Sequence, residues 1–131
     1  STDDVKECGY IFDGHDFAEQ FIKDLSFAIR EIVISAPRAS RIANPKAAMA
    51  IRDSLAIGIG VRIITSEETF DRGLFDLNIE VVHTESCSTH FAVIDKSICW
   101  YGDINLLGYN ASECTALRLW DKSIAEELIK R

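Results

Sequence analysis

Several features that indicate a membrane, metal or nucleotide site are missing from this sequence. No apolar run reaches the ~20 residues that a membrane-spanning helix needs. The N-terminus is polar and acidic, without the basic and apolar regions of a signal peptide. The four cysteines form no C-x-x-C pair, and no P-loop or G-x-G-x-x-G turn is present. The sequence therefore predicts no membrane contact, no metal and no cofactor.

Positive charge is also scarce. The chain has 14 Lys and Arg against 21 Asp and Glu, a net charge of −7. A domain that holds nucleic acid by itself usually carries a basic patch, because neutralisation of phosphates supplies most non-specific affinity. One stretch is locally basic, and we interpret it as a solvated helix face and a loop. Its cations are Arg30, Arg38, Arg41, Lys46 and Arg52.

Length and composition are those of one soluble domain. The 131 residues can bury a core of their own, and 47% of them are hydrophobic. Widely spaced cysteines fit a reducing, cytoplasmic setting better than a disulfide framework. We expect residues 1–131 to form a single domain. The chain begins with Ser rather than Met, which suggests a piece of a larger protein, although removal of an initiator Met before Ser would give the same start.

The pattern of apolar residues predicts alternating strands and helices in the first half of the chain. The predicted strands are residues 9–13, 31–35, 61–65, 79–83, 90–94, 97–101 and 114–120. A helix is expected after Asp16, a second from Pro45 to about residue 57, and a third capped by Ser123. Strands that alternate with helices imply βαβ crossovers. We therefore expect an α/β domain with a mixed, mainly parallel sheet and helices on both faces.

The segment from Ser88 to Asn105 carries the most specific pattern, S-T-H-F-A-V-I-D-K-S-I-C-W-Y-G-D-I-N. It resembles the signature of the phospholipase D superfamily, H-x-K-x-x-x-x-D-x-x-x-x-x-x-G-S-x-N. Asp95, Gly102 and Asn105 fall on the family's Asp, Gly and Asn. Ser88 stands where the family has its nucleophilic His. The resemblance extends over nearly the whole chain and implies one half of a phospholipase D-like fold.

Two further departures affect the family's chemistry. His90 occupies the position of the phosphate-binding Lys, and Asp103 occupies that of the Ser. The segments F-A-V-I-D and W-Y-G-x-I-N-L-L look most like domains attached to bacterial superfamily II DNA helicases. The resemblance thus implies a degenerate site in an accessory domain of a DNA-processing protein. It implies contact with protein or with DNA through the parent protein.

An enzymatic alternative rests on Ser88 and His90. Two positions apart on a strand, they would project from the same face, and His90 could serve Ser88 as a base. Their backbones would still stand ~6.5–7 Å apart, which is long for a direct hydrogen bond. Because one copy of the family's motif supplies half a site, the resemblance implies a homodimer across the motif face. The activity would be a metal-independent phosphodiesterase or nuclease hydrolase.

Asp103 favours the inactive interpretation. A carboxylate beside the phosphate position repels a phosphodiester unless a cation offsets it. We hypothesise that Asp103 raises the pKa of His90 and forms an internal ion pair with it. Asn105 and Glu113 complete the candidate site residues, Glu113 matching a downstream Glu of the family. A third interpretation is an oligomerisation module without a ligand.

Overall fold

A computed structural model of the chain describes residues 9–73 and 78–130. Seven strands form one sheet. They are β1 (Gly9–Asp13), β2 (Glu31–Ser35), β3 (Gly60–Thr65), β4 (Ile79–His83), β5 (His90–Ile94), β6 (Ile98–Gly102) and β7 (Thr115–Trp120). All seven predicted strands are present, with ends that differ by at most one residue from those expected.

The sheet order is β1-β7-β6-β5-β2-β3-β4. Parallel pairing is confined to β2 with β3 and β3 with β4, and the other neighbours pair antiparallel. The mixed α/β fold is confirmed, but the expectation of mainly parallel pairing is wrong for the described residues. The pairs β5–β6 and β6–β7 join consecutive antiparallel strands, whereas β1–β7 and β2–β5 join strands distant in sequence.

The described residues form three helices: α1 (Phe17–Ser26) and α2 (Pro45–Ala56) lie between strands, and α3 (Lys122–Ile129) follows β7. Pro45 opens α2 as predicted, with the Asn44 side chain accepting from the first helical N–H groups. The predicted cap of α3 is wrong by two residues. Asp121, not Ser123, is the N-cap, and its carboxylate accepts a hydrogen bond from the Ile124 N–H at 2.9 Å.

Helices cover both faces of the sheet, as expected. On one face, α1 and α2 bury the larger core, which includes Phe21, Ile51 and Trp100. On the other face, α3 packs Ala125 and Leu128 over Val93 and its strand neighbours. The alternation of side chains along each strand separates the two cores.

A buried charge lies beneath α1. Asp24 accepts two hydrogen bonds from the guanidinium of Arg118, at 2.7 and 2.8 Å, and one from the indole Nε1 of Trp100 at 2.8 Å. Gln20 adds a fourth at 2.9 Å. Full hydrogen bonding offsets the cost of burying this carboxylate, which is only 4% exposed. The network fixes α1 against β6 and β7.

Cys87, Cys99 and Cys114 are free thiols, and Cys8 lies outside the described residues. Burial, with the charge of Asp121 as a second cause, raises the pKa of Cys99 to about 11. Within residues 9–73 and 78–130, no helix combines the length and apolar character needed to cross a bilayer.

Candidate functional site

The candidate site lies at one edge of the sheet, where β5 begins and β6 ends. His90 pairs with Gly102 across these antiparallel strands, and Asp103 follows directly. The structure therefore brings His90 and Asp103 together, as the motif predicts. β2 ends, and the loop after it begins, at the same edge, since Ser35 pairs with Phe91.

Ser88 does not share a strand face with His90. The strand begins at His90, and Ser88 is an exposed residue in the preceding segment. It lines a small cavity with Cys87 and Thr89 that does not include His90. In the described part of the chain no hydrogen bond joins Ser88 to His90, so a direct serine–histidine pair is absent from this geometry.

Asp103 has a structural role. Its carboxylate accepts a hydrogen bond from the Thr115 N–H at 2.7 Å, and its own N–H donates to the Thr115 carbonyl at 3.0 Å. These bonds join the end of β6 to the start of β7. The described residues contain no ion pair between Asp103 and His90, contrary to our hypothesis.

The electrostatics of His90 also differ from those expected. Its pKa is lowered from the ordinary value of 6.5, chiefly because burial disfavours the charged imidazolium. The nearby Asp103 carboxylate raises the pKa but does not outweigh burial, and the Arg38 guanidinium lowers it further. The expected upward shift is therefore wrong.

The Nδ1 atom of His90 is buried and has no hydrogen-bond partner in the described structure. An imidazolium has two N–H donors to satisfy, so an unpartnered buried nitrogen disfavours the charged form. This geometry and the lowered pKa both indicate a neutral His90 near pH 7.

Arg38 was missed as a site residue. The sequence pattern predicts that Arg38 and Arg30 share one solvated basic stretch. In the structure the two arginines lie at opposite ends of β2. The Arg38 turn is held by Thr65, whose hydroxyl donates to the carbonyls of Pro37 and Ala39, both at 3.1 Å. The signal in the sequence for the position of Arg38 was that it follows the end of β2, the strand that pairs with the motif strand β5.

Asn105 organises the turn after β6. Its side-chain oxygen accepts from the Leu107 N–H at 3.1 Å, and its backbone N–H donates to the Asn110 side chain at 2.8 Å. The Asn110 amide returns a bond to the Asn105 carbonyl at 2.9 Å. This motif residue thus supports backbone geometry.

Glu113 is exposed and lies in the segment before β7. Its carboxylate accepts a bond from the adjacent Ser112 hydroxyl at 3.4 Å. The structure records no contact between Glu113 and His90 within the residues it describes. The structure therefore brings together His90, Asp103 and Arg38, while Ser88 and Glu113 have separate surroundings.

Gly102 is retained because of a close backbone approach. A Cβ atom at this position would stand 2.2 Å from the Thr115 carbonyl oxygen and 2.7 Å from the Ala116 Cα. No side chain fits there without a shift of β7. The glycine of the motif is thus required by strand packing.

The fold is similar to that of solved phospholipase D-family structures. NucT from Helicobacter pylori matches with a TM-score of 0.69 and 17% identity, over 93% of this chain and 91% of that one. Nuc from Salmonella typhimurium, described as a phospholipase D family member, matches with a TM-score of 0.69 and 13% identity, over 93% and 89%. The chain therefore has a phospholipase D-like half fold.

A third match is TrmBL2, described as an archaeal chromatin protein with a novel mode of DNA binding. Its TM-score is 0.72 at 12% identity, over 95% of this chain and 50% of that protein. No protein-family model matches the sequence, and no curated protein matches it significantly. At these identities the likeness establishes the fold alone.

Proposed function

We propose that this chain is a non-catalytic phospholipase D-like accessory domain that contacts nucleic acid or protein. One observation carries the proposal: the residues at the motif positions either support the backbone or lack a catalytic partner. Asp103 joins β6 to β7 and Asn105 orders a turn, and within the described residues no hydrogen bond joins Ser88 to a base. The site thus offers the frame of the family without its nucleophile or its lysine.

Support for nucleic-acid contact comes from the fold and from one structural relative. TrmBL2 combines this fold with DNA binding in its description. The helicase-type parent protein and its bacterial, cytoplasmic setting are proposals drawn from the resemblance of F-A-V-I-D and W-Y-G-x-I-N-L-L.

Fluorescence anisotropy with labelled single- and double-stranded DNA tests the proposal. We expect reversible, salt-sensitive binding at low ionic strength, with the DNA recovered intact. Cleaved DNA would overturn the non-catalytic assignment. An absence of binding to both forms would exclude nucleic acid and leave protein contact as the only proposed role.

The alternative is a phosphodiesterase or nuclease rebuilt around His90. The neutral imidazole favours it, because an unprotonated nitrogen is what a nucleophile or general base requires. Arg38 would supply the cation that the family draws from lysine. Such a site needs a second motif from a homodimer. Its activity would therefore fall more steeply than protein concentration on dilution, and it would be lost in His90→Ala.

A further inference from the structure

A second surface lies at the opposite edge of the sheet from His90 and Asp103. It is a groove of about 630 Å³, formed where β5 ends and β6 begins. This volume is within the range of ligand sites, roughly 300–1,000 Å³. The groove is lined by neither His90 nor Asp103. The motif residue Asp95 contributes to its lining.

The groove is cationic in a chain that is acidic overall. Arg30 and Lys122 line it, are exposed, and have no ion-pair partner among the described residues. The two lining carboxylates are already engaged: Asp24 by Arg118, and Asp95 by backbone N–H groups. The charge accessible to a ligand is therefore positive.

Arg118 adds a fixed donor. Its Nε and Nη2 atoms bind Asp24 at 2.7 and 2.8 Å, whereas Nη1 has no protein acceptor in the described structure. A guanidinium held in this way loses little freedom when it binds an anion, because its fork is already oriented.

Aromatic side chains stand beside these cations. Phe27 is 79% exposed and Trp120 is 58% exposed, and both line the groove. Large apolar side chains grouped at a surface mark interaction sites. Aromatic faces interleaved with cations are the arrangement that binds single-stranded nucleic acid, by base stacking and phosphate contact.

We propose that this groove binds one or two nucleotides of single-stranded nucleic acid. Arg30, Lys122 and Arg118 contact phosphate, and Trp120 and Phe27 stack on bases. The inference rests on the proposed nucleic-acid contact and assigns that contact to a surface away from His90 and Asp103. An acidic peptide would satisfy the cations but offers no planar partner for two exposed rings.

The test uses the full chain, fluorescein-labelled oligothymidylate and low salt. Arg30→Ala/Lys122→Ala is compared with Arg41→Ala/Lys46→Ala, which removes the same charge from two exposed positions elsewhere. We expect the groove double variant to bind about tenfold more weakly, with a salt slope shallower by about 1.4. The matched variant should bind nearly as wild type, and circular dichroism checks that both fold.

Tryptophan fluorescence gives an independent readout. The chain has two tryptophans, and Trp100 is fully buried, so quenching by the oligonucleotide reports Trp120. Trp120→Ala should abolish the quench and weaken binding about tenfold.

Four outcomes would overturn the inference. Equal losses of affinity in the two double variants would show that the oligonucleotide is held by non-specific electrostatic attraction. Loss of affinity in the Arg41/Lys46 variant alone would place binding at another surface, leaving the proposed function intact. Polyglutamate that displaces the oligonucleotide and binds Trp120→Ala as well as wild type would identify an acidic polymer as the ligand. If wild type binds no oligonucleotide, both this inference and nucleic-acid contact fail.

Discussion

The carboxylate of Asp95 accepts a hydrogen bond from the backbone N–H of Arg30 at 2.8 Å. It also accepts from the N–H groups of Ile29 and Glu31, at 3.0 and 3.1 Å. The retained aspartate of the motif thus ties the β5–β6 hairpin to the start of β2. This is an architectural role.

Replacement of Asp95 should destabilise the fold. Asp95→Ala removes the acceptor of three N–H groups and places alanine at a φ of 55°, so we expect a loss of about 3 kcal/mol. Asp95→Asn keeps an acceptor and tolerates the left-handed backbone, and should lose about half as much. Urea unfolding measures both. Equal stability of Asp95→Ala and wild type would refute the architectural role.

Gly102 and Gly60 form a matched pair for the next prediction. An added methyl group at Gly102 meets the Thr115 carbonyl, whereas one at Gly60 meets nothing within 4 Å. Gly102→Ala should therefore cost about 3 kcal/mol or more, and Gly60→Ala should be close to neutral. Thermal unfolding of the two variants tests the difference. A tolerated alanine at position 102 would show that β7 shifts without cost.

The Asp24–Arg118 pair predicts strong coupling. Asp24→Ala leaves a largely buried guanidinium without its partner, and breaking such a pair costs about 3–5 kcal/mol. In a double-mutant cycle, Asp24→Ala with Arg118→Ala should lose clearly less than the sum of the single losses. Additive losses would mean that the two side chains act independently.

His90 should titrate below its ordinary value. Asp103→Asn removes the carboxylate that raises the pKa of His90, so that pKa should fall further, whereas Arg38→Ala should raise it. NMR of the imidazole C–H resonances measures the titration, with the His90 signal assigned by its absence in His90→Gln. A pKa above the ordinary value that falls on Asp103→Asn would instead restore the ion-pair hypothesis.

The same shift links stability to pH. Because the pKa of His90 is lower in the folded state, the unfolded state binds the proton more tightly. The contribution is fully present above the unfolded value of about 6.5 and is lost as pH falls through the folded-state pKa. Wild type should therefore lose more stability on acidification than His90→Gln, as urea midpoints at two pH values would show.

Local patterns predicted much of the fold. Strand ends agreed closely because β-branched runs in this chain end at Pro37, Gly14 or the Asp95–Lys96 turn. The order of strands in the sheet was harder to predict from local patterns, because β1 pairs with β7 and their residues lie about 100 positions apart. Asp24 and Arg118 illustrate the same limit, because nothing in either local segment specifies the other.

The candidate site was predicted in position and misjudged in electrostatics. Motif spacing correctly placed His90 beside Asp103, because register across a hairpin follows from the turn. The direction in which the pKa of His90 shifts depends on burial, and the spacing of motif residues in the sequence does not encode burial. Arg38 escaped notice for a related reason, since its proximity to His90 arises from the pairing of β2 with β5.

Phosphodiester hydrolysis tests the central claim most directly. The assay contains EDTA and uses single-stranded DNA, double-stranded DNA and a chromogenic diester, with wild type and His90→Ala purified in parallel at high concentration. The account predicts equal, background rates for the two proteins on all three substrates. Cleavage by wild type that His90→Ala abolishes would contradict it and establish a working site built on His90.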